Sequence, residues 1–280
     1  MKNLGYYNGE TGLIEEMRVP MTDRACFFGE GVYDTALSHN GVIFALDEHI
    51  DRFFRSAGML EITPPLSKDA LARLLGDLNA RVDASTKFVY WQLSRGTALR
   101  EHAFAAGIKA NLWVTVEPAE LQDTWQPVRL ITVEDTRFLH CNIKTLNLIP
   151  NVLAAEKARR AGAAEVVFHR GDRVTECAHS NVHIIKDGVF QTPPADNLIL
   201  GGITRAHLLA MCRKRGIPAK EVPFTVAEMF DADEIIVAAC TSFCLSASHI
   251  DGKPVGGKAP QLLNNLRQGM LAEFYEAVGQ

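Results

Sequence analysis

The alternation of apolar and polar residues in the first 118 positions predicts short strands joined by tight turns, with two helices among them. Asn-Gly pairs at 8–9 and 40–41 each separate two short apolar runs, which is typical of a β-hairpin. Apolar residues recur at helical spacing between 50 and 57, and Asp47 in front of them is a favourable N-cap. The same reasoning predicts three further elements: an amphipathic helix over 67–82 and strands over 87–96 and 110–118.

A polar stretch with two prolines, residues 117–127, interrupts this pattern and is the best candidate linker. The pattern beyond it predicts a strand from 128, a helix after Pro150, hairpins turned at 171–172 and 187–188, a helix after the glycines at 201 and 202, a strand over 234–240 and a C-terminal helix from about 260. We therefore expect an α/β (α+β) chain with a smaller N-terminal α/β domain over 1–118, a linker over 119–126 and a larger C-terminal domain over 127–280.

The composition excludes several classes of protein. Of the 280 residues, 47% are hydrophobic and 22% charged, as in an ordinary globular protein. A net charge of -4 without a basic stripe argues against nucleic-acid binding. No apolar run approaches the roughly 18 residues that a membrane helix needs, and no secretory signal is visible, so we expect a cytoplasmic protein. Six scattered cysteines and nine histidines show no ligand spacing, so we expect no metal site.

Lys144 is the first candidate for chemistry. It lies among apolar residues in CNIKTLNLIPN (141–151), a segment that the pattern predicts as a buried strand or strand edge. Lysine is rarely buried without a partner, because removing its ammonium from water is costly. Either its stem packs while the ammonium reaches water, or it forms a Schiff base with an aldehyde and loses its charge.

Three further segments also allow two interpretations each. Glu176, which closes an alternating strand, is either a solvated strand end or the partner of a pyridinium nitrogen. The glycines of LGGITRAHLL form either a simple turn or a phosphate site, made by the N–H groups of Ile203 and Thr204 at a helix N-terminus. Arg52 is either an exposed helix charge or a phosphate clamp.

Six segments in order along nearly the whole chain resemble the fold-type IV pyridoxal phosphate (PLP)-dependent transaminases, the family of the D-amino acid and branched-chain aminotransferases: DRACFFGEGVYDT, ALDEHIDRFFRSA, CNIKTLNLIPNVLA, VTECAHSNV, GGITR and IDGKPVG. The resemblance implies the two-domain fold of that family, PLP as cofactor and a homodimer. It also implies that Lys144 forms the Schiff base with PLP and moves the substrate proton, and that Glu176 pairs with the pyridine nitrogen. Arg52 would hold the phosphate together with the backbone of Ile203 and with Thr204.

The segment SRGTALREHAF (94–104) decides which subfamily the chain resembles. D-amino acid aminotransferases have an R-x-H pair in this loop, and here the pair is Arg100 and His102. The resemblance implies that the loop reaches across a dimer interface and that Arg100, His102 and Tyr33 bind the substrate α-carboxylate, which an arginine fork suits. The position of the carboxylate would fix which face of Cα presents its hydrogen, and so select D over L substrates.

Two departures from the family pattern leave questions open. After the glutamate, this chain has Cys177-Ala178-His179 where D-amino acid aminotransferases have a serine-rich run. His179 either forms a hydrogen bond near the cofactor or is an ordinary loop histidine. Cys240 stands where the family usually presents a threonine to the phosphate, and Thr241, one residue later, is the alternative ligand.

The resemblance implies PLP-dependent transamination between D-amino acids, such as D-alanine, and 2-oxo acids, such as 2-oxoglutarate, giving pyruvate and D-glutamate. Alternatives with the same fold are a branched-chain L-amino acid aminotransferase, an R-selective amine transaminase and 4-amino-4-deoxychorismate lyase, and the R-x-H pair argues against all three. A protein that holds PLP without turnover is a rival from another class. The intact lysine, glutamate and phosphate elements argue against it.

Overall fold

The structure, a computed structural model, describes residues 1–279, and the chain divides into two compact units. One unit contains residues 1–121, 143–147 and 276–279; the other contains 122–142 and 148–275. The break after residue 121 falls inside the linker predicted over 119–126. Lys144 belongs to the first unit, which differs from its predicted place in the C-terminal domain, because its segment pairs with a strand of the first unit.

The first unit is built on a six-stranded antiparallel sheet with the order β2-β1-β6-β5-β3-β4. Its strands are β1 (Leu4–Tyr7), β2 (Glu10–Gly12), β3 (Gly31–His39), β4 (Val42–Ile43), β5 (Thr86–Ser94) and β6 (Asn111–Pro118). Both predicted Asn-Gly hairpins are confirmed. All four turn residues have positive φ, which Asn and Gly tolerate best.

The helices of the first unit are α1 (Arg24–Phe28), α2 (Leu46–Met59) and α3 (Lys68–Ala80). The apolar stripes of α2 and α3 share one core with the fully buried Trp91 of β5. The predicted N-cap was wrong. Helix α2 begins directly after Ala45, so Asp47 lies in its first turn. Its negative charge interacts favourably there with the positive end of the helix dipole.

The second unit is built on a mixed sheet with the order β12-β11-β10-β13-β14-β7-β8-β9, and β15 pairs with β14. Its strands are β7 (Val128–Glu134), β8 (Glu165–Arg170), β9 (Arg173–Cys177), β10 (Asn181–Lys186), β11 (Val189–Thr192), β12 (Ala219–Glu221), β13 (Glu234–Ala238), β14 (Leu245–Ile250) and β15 (Lys253–Pro254). The predicted hairpins β8–β9 and β10–β11 are confirmed.

The helices that follow in the chain are α4 (Ile149–Arg160), α5 (Ile203–Lys214), α6 (Val226–Asp231) and α7 (Pro260–Ala277). Pro150 lies in the first turn of α4, where its missing N–H costs no hydrogen bond. Thr225 and Glu228 form a reciprocal capping box at the start of α6. Among the helices described, none has both the length and the apolar character needed to cross a bilayer.

The segment around Lys144 is not a regular strand, contrary to the prediction. A single β-bridge joins Thr145 to Val32, and the N–H of Tyr33 donates to the carbonyl of Lys144. Helix α4 begins four residues after this bridge, at Ile149. The side chain of Lys144 is half-buried rather than buried.

Candidate active site

Lys144 and Tyr33 lie side by side in the first unit. Their backbones are joined by a hydrogen bond of 2.9 Å, and Nζ of Lys144 lies 4.3 Å from the centroid of the Tyr33 ring. The N–H of Lys144 donates to Oγ of Ser56 at 3.2 Å. Tyr33 in turn stacks on Tyr90, with 5.4 Å between ring centroids. The lysine amine is therefore held over an aromatic face by a backbone that is fixed on both sides.

Asp34, His49 and Arg52 form a buried network on β3 and α2. Nε and Nη2 of Arg52 donate to the two oxygens of Asp34 at 2.9 and 2.7 Å, and Nδ1 of His49 lies 2.8 Å from Asp34 Oδ1. Burial alone would raise the pKa of Asp34, but the charge of Arg52 and the hydrogen bonds from His49 and Arg52 outweigh it and lower that pKa well below its usual range. Asp34 therefore stays ionised and fixes the plane of the Arg52 guanidinium.

The same network affects His49. Burial lowers the pKa of His49, Asp34 acts in the opposite direction, and the charges of Arg52 and Lys144 lower it again, so that the net shift is downward. Sequence reasoning missed both His49 and Asp34. Two signals were present: Asp34 directly follows Tyr33, and His49 stands three residues before Arg52, on the same helix face.

The R-x-H loop lies between β5 and β6 and is exposed from residue 99 to residue 107. Arg100 and His102 both lie against Phe28. The guanidinium carbon of Arg100 is 5.1 Å from the centroid of the Phe28 ring, and the ring of His102 is 5.2 Å from it. Both side chains predicted to bind a carboxylate therefore contact the same aromatic ring. Loops of this length without helix or strand are commonly functional.

In the second unit, the buried carboxylate of Glu176 accepts three hydrogen bonds. Arg137 Nη1 donates to Oε1 at 2.5 Å, and Asn181 Nδ2 and the Leu200 N–H donate to Oε2 at 3.2 and 3.1 Å. Donors on both oxygens fix the plane of the carboxylate. A carboxylate held in this way suits a cationic nitrogen as its partner.

Arg137, which sequence reasoning missed, joins Glu176 to a second buried carboxylate. Its Nε and Nη2 both donate to Asp135 at 2.9 Å, and its guanidinium carbon lies 4.7 Å from the centroid of the Phe168 ring. Burial would lower the pKa of Arg137, but the hydrogen bond of Asp135 and the charge of Glu176 raise it above its usual value. Nε of Arg170 lies 3.3 Å from Oδ2 of Asp135. Two arginines, Arg137 and Arg170, therefore neutralise two carboxylates, those of Asp135 and Glu176.

Helix α5 begins with an open N-terminus. Gly202 is its N-cap, no side chain of the described residues caps it, and its first turn contains no acidic residue. The N–H groups at such a start, here those of Ile203 and Thr204, attract anions. Asn181, which donates to Glu176, also contacts the start of α5. Its Nδ2 donates to the Leu200 carbonyl at 2.9 Å. Its Oδ1 lies so close to Gly202 that a Cβ at that position would collide with it.

Cys240 and Thr241 lie in the turn between β13 and β14, and both are half-buried. The N–H groups of Ser242 and Phe243 donate to the carbonyl of Ala239 at 3.2 and 2.9 Å. Phe243 has a φ of 39°, in the left-handed region that bulky residues rarely adopt. Backbone strain of this kind is concentrated at functional sites.

His179 is paired with a buried carboxylate. Its side chain is 64% exposed, and its Nδ1 lies 2.8 Å from Oε2 of Glu165. Glu165 also accepts hydrogen bonds from Ser180 Oγ at 2.9 Å and from the N–H of Ala178 at 3.3 Å. Burial would raise the pKa of Glu165, but His179 and the other donors lower it below its usual value. This pair fixes the loop between β9 and β10, which separates Glu176 from Asn181.

The two units offer different chemistry. The first contributes a half-buried amine and an arginine–histidine pair for a carboxylate. The second contributes an oriented carboxylate for a cationic nitrogen and a helix N-terminus for an anion. In the part of the chain that the structure describes, no three or more His, Cys, Asp or Glu side chains are grouped to hold a metal ion.

The comparisons with known proteins identify the family of the chain. The sequence model of the family Amino-transferase class IV matches residues 31–250, so the chain belongs to the class IV aminotransferase family and is an aminotransferase. It is 40% identical over 272 residues to the D-alanine aminotransferase of Listeria monocytogenes serotype 4b (strain F2365), covering 95% of this chain and 94% of that protein. It is 36% identical over 282 residues to the D-alanine aminotransferase of Bacillus licheniformis, covering 97% and 99%.

Two solved structures are similar to this chain in fold. The branched-chain amino acid aminotransferase of Escherichia coli matches with a TM-score of 0.87 and 22% identity, over 96% of this chain and 92% of that one. The branched-chain aminotransferase of Thermoproteus uzoniensis matches with a TM-score of 0.87 and 22% identity, over 99% and 95%. The predicted fold-type IV aminotransferase fold is therefore confirmed.

Proposed function

We propose that this aminotransferase exchanges amino groups between D-amino acids, such as D-alanine, and 2-oxo acids, such as 2-oxoglutarate, with PLP as cofactor. D-alanine and 2-oxoglutarate would give pyruvate and D-glutamate. The observation that carries the proposal is that Arg100 and His102, both in an exposed loop, contact the same ring, that of Phe28. A guanidinium and an imidazole presented by one loop are suited to bind a carboxylate. The relatives named D-alanine aminotransferase support the same substrate class.

The donor sets of the second unit fit PLP. The carboxylate of Glu176, oriented by Arg137 and Asn181, suits a protonated pyridine nitrogen. The open N-terminus of α5, with Ile203 and Thr204, suits a phosphate dianion. When bound, PLP supplies an electron sink that makes the Cα–H bond of an amino acid acidic.

The remaining phosphate contacts are assigned to Arg52 and to the turn after β13. Arg52 has five N–H donors in a planar fork, and its two bonds to Asp34 fix the direction of that fork. Thr241 is the side-chain donor in the turn, beside Cys240. Backbone N–H groups serve the phosphate whichever of these two residues faces it.

Lys144 is the residue that would hold the cofactor covalently and move the proton. Its Nζ would take the proton from the substrate Cα and later return it. The aromatic face of Tyr33, 4.3 Å away, keeps this amine in place and would line the substrate side. Binding of the substrate carboxylate by Arg100 and His102 would orient Cα so that only a D-amino acid presents its hydrogen to the lysine.

The same loop supports a homodimer. Leu99 and Phe104 flank the R-x-H pair, and 84% and 54% of their surfaces are exposed. A second copy of the chain that contacts this loop would cover these apolar side chains. A cytoplasmic location fits the six cysteines, which form no disulfide in the described chain.

The experiment that tests the proposal replaces Arg100 and His102 with alanine. The kcat/KM for D-alanine should fall by roughly 100-fold, mainly through KM, because a charge-assisted hydrogen bond to a carboxylate contributes about 1.5 to 3 kcal/mol. Glu101→Ala, between the two and also exposed, is the matched control and should change kcat/KM little. Unchanged D-alanine kinetics in the double variant, or an unmodified enzyme that prefers L-leucine, would contradict the proposal.

A further inference from the structure

Arg24 is a buried residue at the start of α1 that contacts the R-x-H loop. Only 2% of its surface is exposed. Its Nη1 donates to the carbonyls of Glu101 at 2.6 Å and Ala103 at 3.3 Å, and its Nη2 donates to the carbonyl of His102 at 3.3 Å. One guanidinium thus holds three consecutive carbonyls, which include the backbone of a residue assigned to the substrate carboxylate.

Glu30 connects Arg24 to a second buried arginine. Nε of Arg24 donates to Oε2 of Glu30 at 2.5 Å, and Nε of Arg95 donates to Oε1. The other donors of Arg95 reach the carbonyls of Glu61 at 2.9 Å and Leu60 at 2.5 Å, directly after α2. The two guanidinium groups therefore have a shared anion and carbonyl partners, as buried charges require.

Arg95 also touches the loop through an aromatic ring. Its guanidinium carbon lies 3.4 Å from the centroid of the Phe104 ring, which is the distance of a stacked cation–π contact. The base of the loop is held by backbone bonds, since the N–H of Arg24 donates to Gly96 at 2.9 Å and the N–H of Ala98 donates to Thr22 at 3.0 Å.

The loop itself contributes little to its own order. All residues from 99 to 107 are exposed, so burial of side chains does not fix their conformation. The contacts that hold the loop come from outside it. Arg24 holds the carbonyls of residues 101–103, and Arg95 stacks on the ring of Phe104. A loop that must place two side chains against one carboxylate needs such external support.

We propose that Arg24 and Arg95, joined by Glu30, form an anchor that holds residues 99–107 in the conformation in which Arg100 and His102 bind the substrate carboxylate. Arg24 is then a positioning residue for substrate recognition, and the inference rests on the proposed function of the loop. The anchor should determine KM more than kcat, because it acts on substrate binding and not on the proton transfer at Lys144.

The test replaces Arg24 with methionine, which keeps the length of the side chain and removes its charge and all its donors. In the holoenzyme, limited trypsin cleavage after the exposed Arg100 should become at least about tenfold faster, because cleavage requires residues 99–107 to leave this conformation and three hydrogen bonds from a charged group that hold it are lost. KM for D-alanine should rise by a similar factor, with a smaller change in kcat. Arg18→Met is the control, because Arg18 is exposed and bonds only to neighbouring carbonyls among the contacts seen.

Phe104→Leu provides a second variant that does not disturb the buried charges. It removes the ring under Arg95 and should accelerate cleavage after Arg100 by a smaller factor. Unchanged cleavage in both folded variants would overturn the anchor. Faster cleavage with an unchanged KM would overturn its role in substrate binding. Failure of the proposed function is separate, because it would show as unchanged D-alanine kinetics when Arg100 and His102 themselves are replaced.

Discussion

His183 makes the stability of the protein depend on pH in a way that one substitution should remove. It lies in β10 with none of its surface exposed, and its ring stacks on Phe190 with 5.1 Å between centroids. Neither ring nitrogen has a hydrogen-bond partner among the described residues. Burial, together with the charge of Arg205, lowers the pKa of His183 to about 3.

The sign of the effect follows from this pKa. An unfolded histidine titrates near 6.5, so between about pH 6.5 and pH 3 the unfolded chain binds a proton that folded His183 does not bind. The contribution of His183 to stability is therefore complete above pH 6.5 and is lost as the pH falls, at up to about 1.4 kcal/mol per pH unit. Between pH 7 and pH 5 the loss is roughly 2 kcal/mol.

The assay compares urea unfolding of the unmodified protein and His183→Leu at pH 7, 6 and 5, followed by circular dichroism. Between pH 7 and pH 5, the free energy of unfolding of the leucine variant should fall by roughly 2 kcal/mol less than that of the unmodified protein. It should lose little stability at pH 7, because an imidazole without partners is replaced by an apolar side chain of similar size. His140→Asn, at an exposed position, is the control and should behave like the unmodified protein. An identical pH dependence in His183→Leu would refute the reasoning.

Three more substitutions test other parts of the structure. Gly202→Ala should weaken PLP binding, measured by fluorescence titration, because its Cβ would collide with Asn181 Oδ1, and adding Asn181→Ala should restore part of the affinity. Trp91→Ala should lower the free energy of unfolding by about 3 to 5 kcal/mol in urea, because a fully buried ring is removed. Thr225→Ala should cost about 1 kcal/mol in the same assay by opening the capping box with Glu228.

Each of these expectations has a contrary result. Unchanged PLP affinity in Gly202→Ala, or no recovery in the double variant, would show that the start of α5 does not depend on Asn181. A loss below about 1 kcal/mol for Trp91→Ala would mean that the first unit repacks around the missing ring. No change for Thr225→Ala would mean that α6 is held by its packing alone.

Elements with strong local signals were predictable from the sequence. The Asn-Gly hairpins formed as expected, because only a few residue types accept the positive φ of these turns. The long amphipathic helices and the aromatic strands also formed, because their periodicity matches one buried face. The local signal was insufficient at Asp47, where the chain enters α2 earlier than the best capping residue.

The supporting residues of the site were not predictable, because their partners are distant in sequence. Arg137 meets Glu176 across 39 positions, and Arg24 meets Glu101 across 77. No spacing rule connects such pairs, and each of these arginines resembles an ordinary surface charge when only the sequence is considered. The burial of Lys144 was overestimated for a related reason: of its apolar neighbours only Ile143 is buried, whereas Leu146 and Leu148 are half-buried and Ile149 is exposed.

The most direct test of the central claim is the visible absorption spectrum of the PLP-loaded protein before and after adding D-alanine or L-alanine. We expect a cofactor band that is bleached by D-alanine and not by L-alanine, and that is absent when Lys144 is replaced by alanine. Bleaching by L-amino acids alone would contradict the assignment of D-substrates and reduce Arg100 and His102 to ordinary loop charges. A protein that shows no band with PLP supplied would contradict the cofactor site itself.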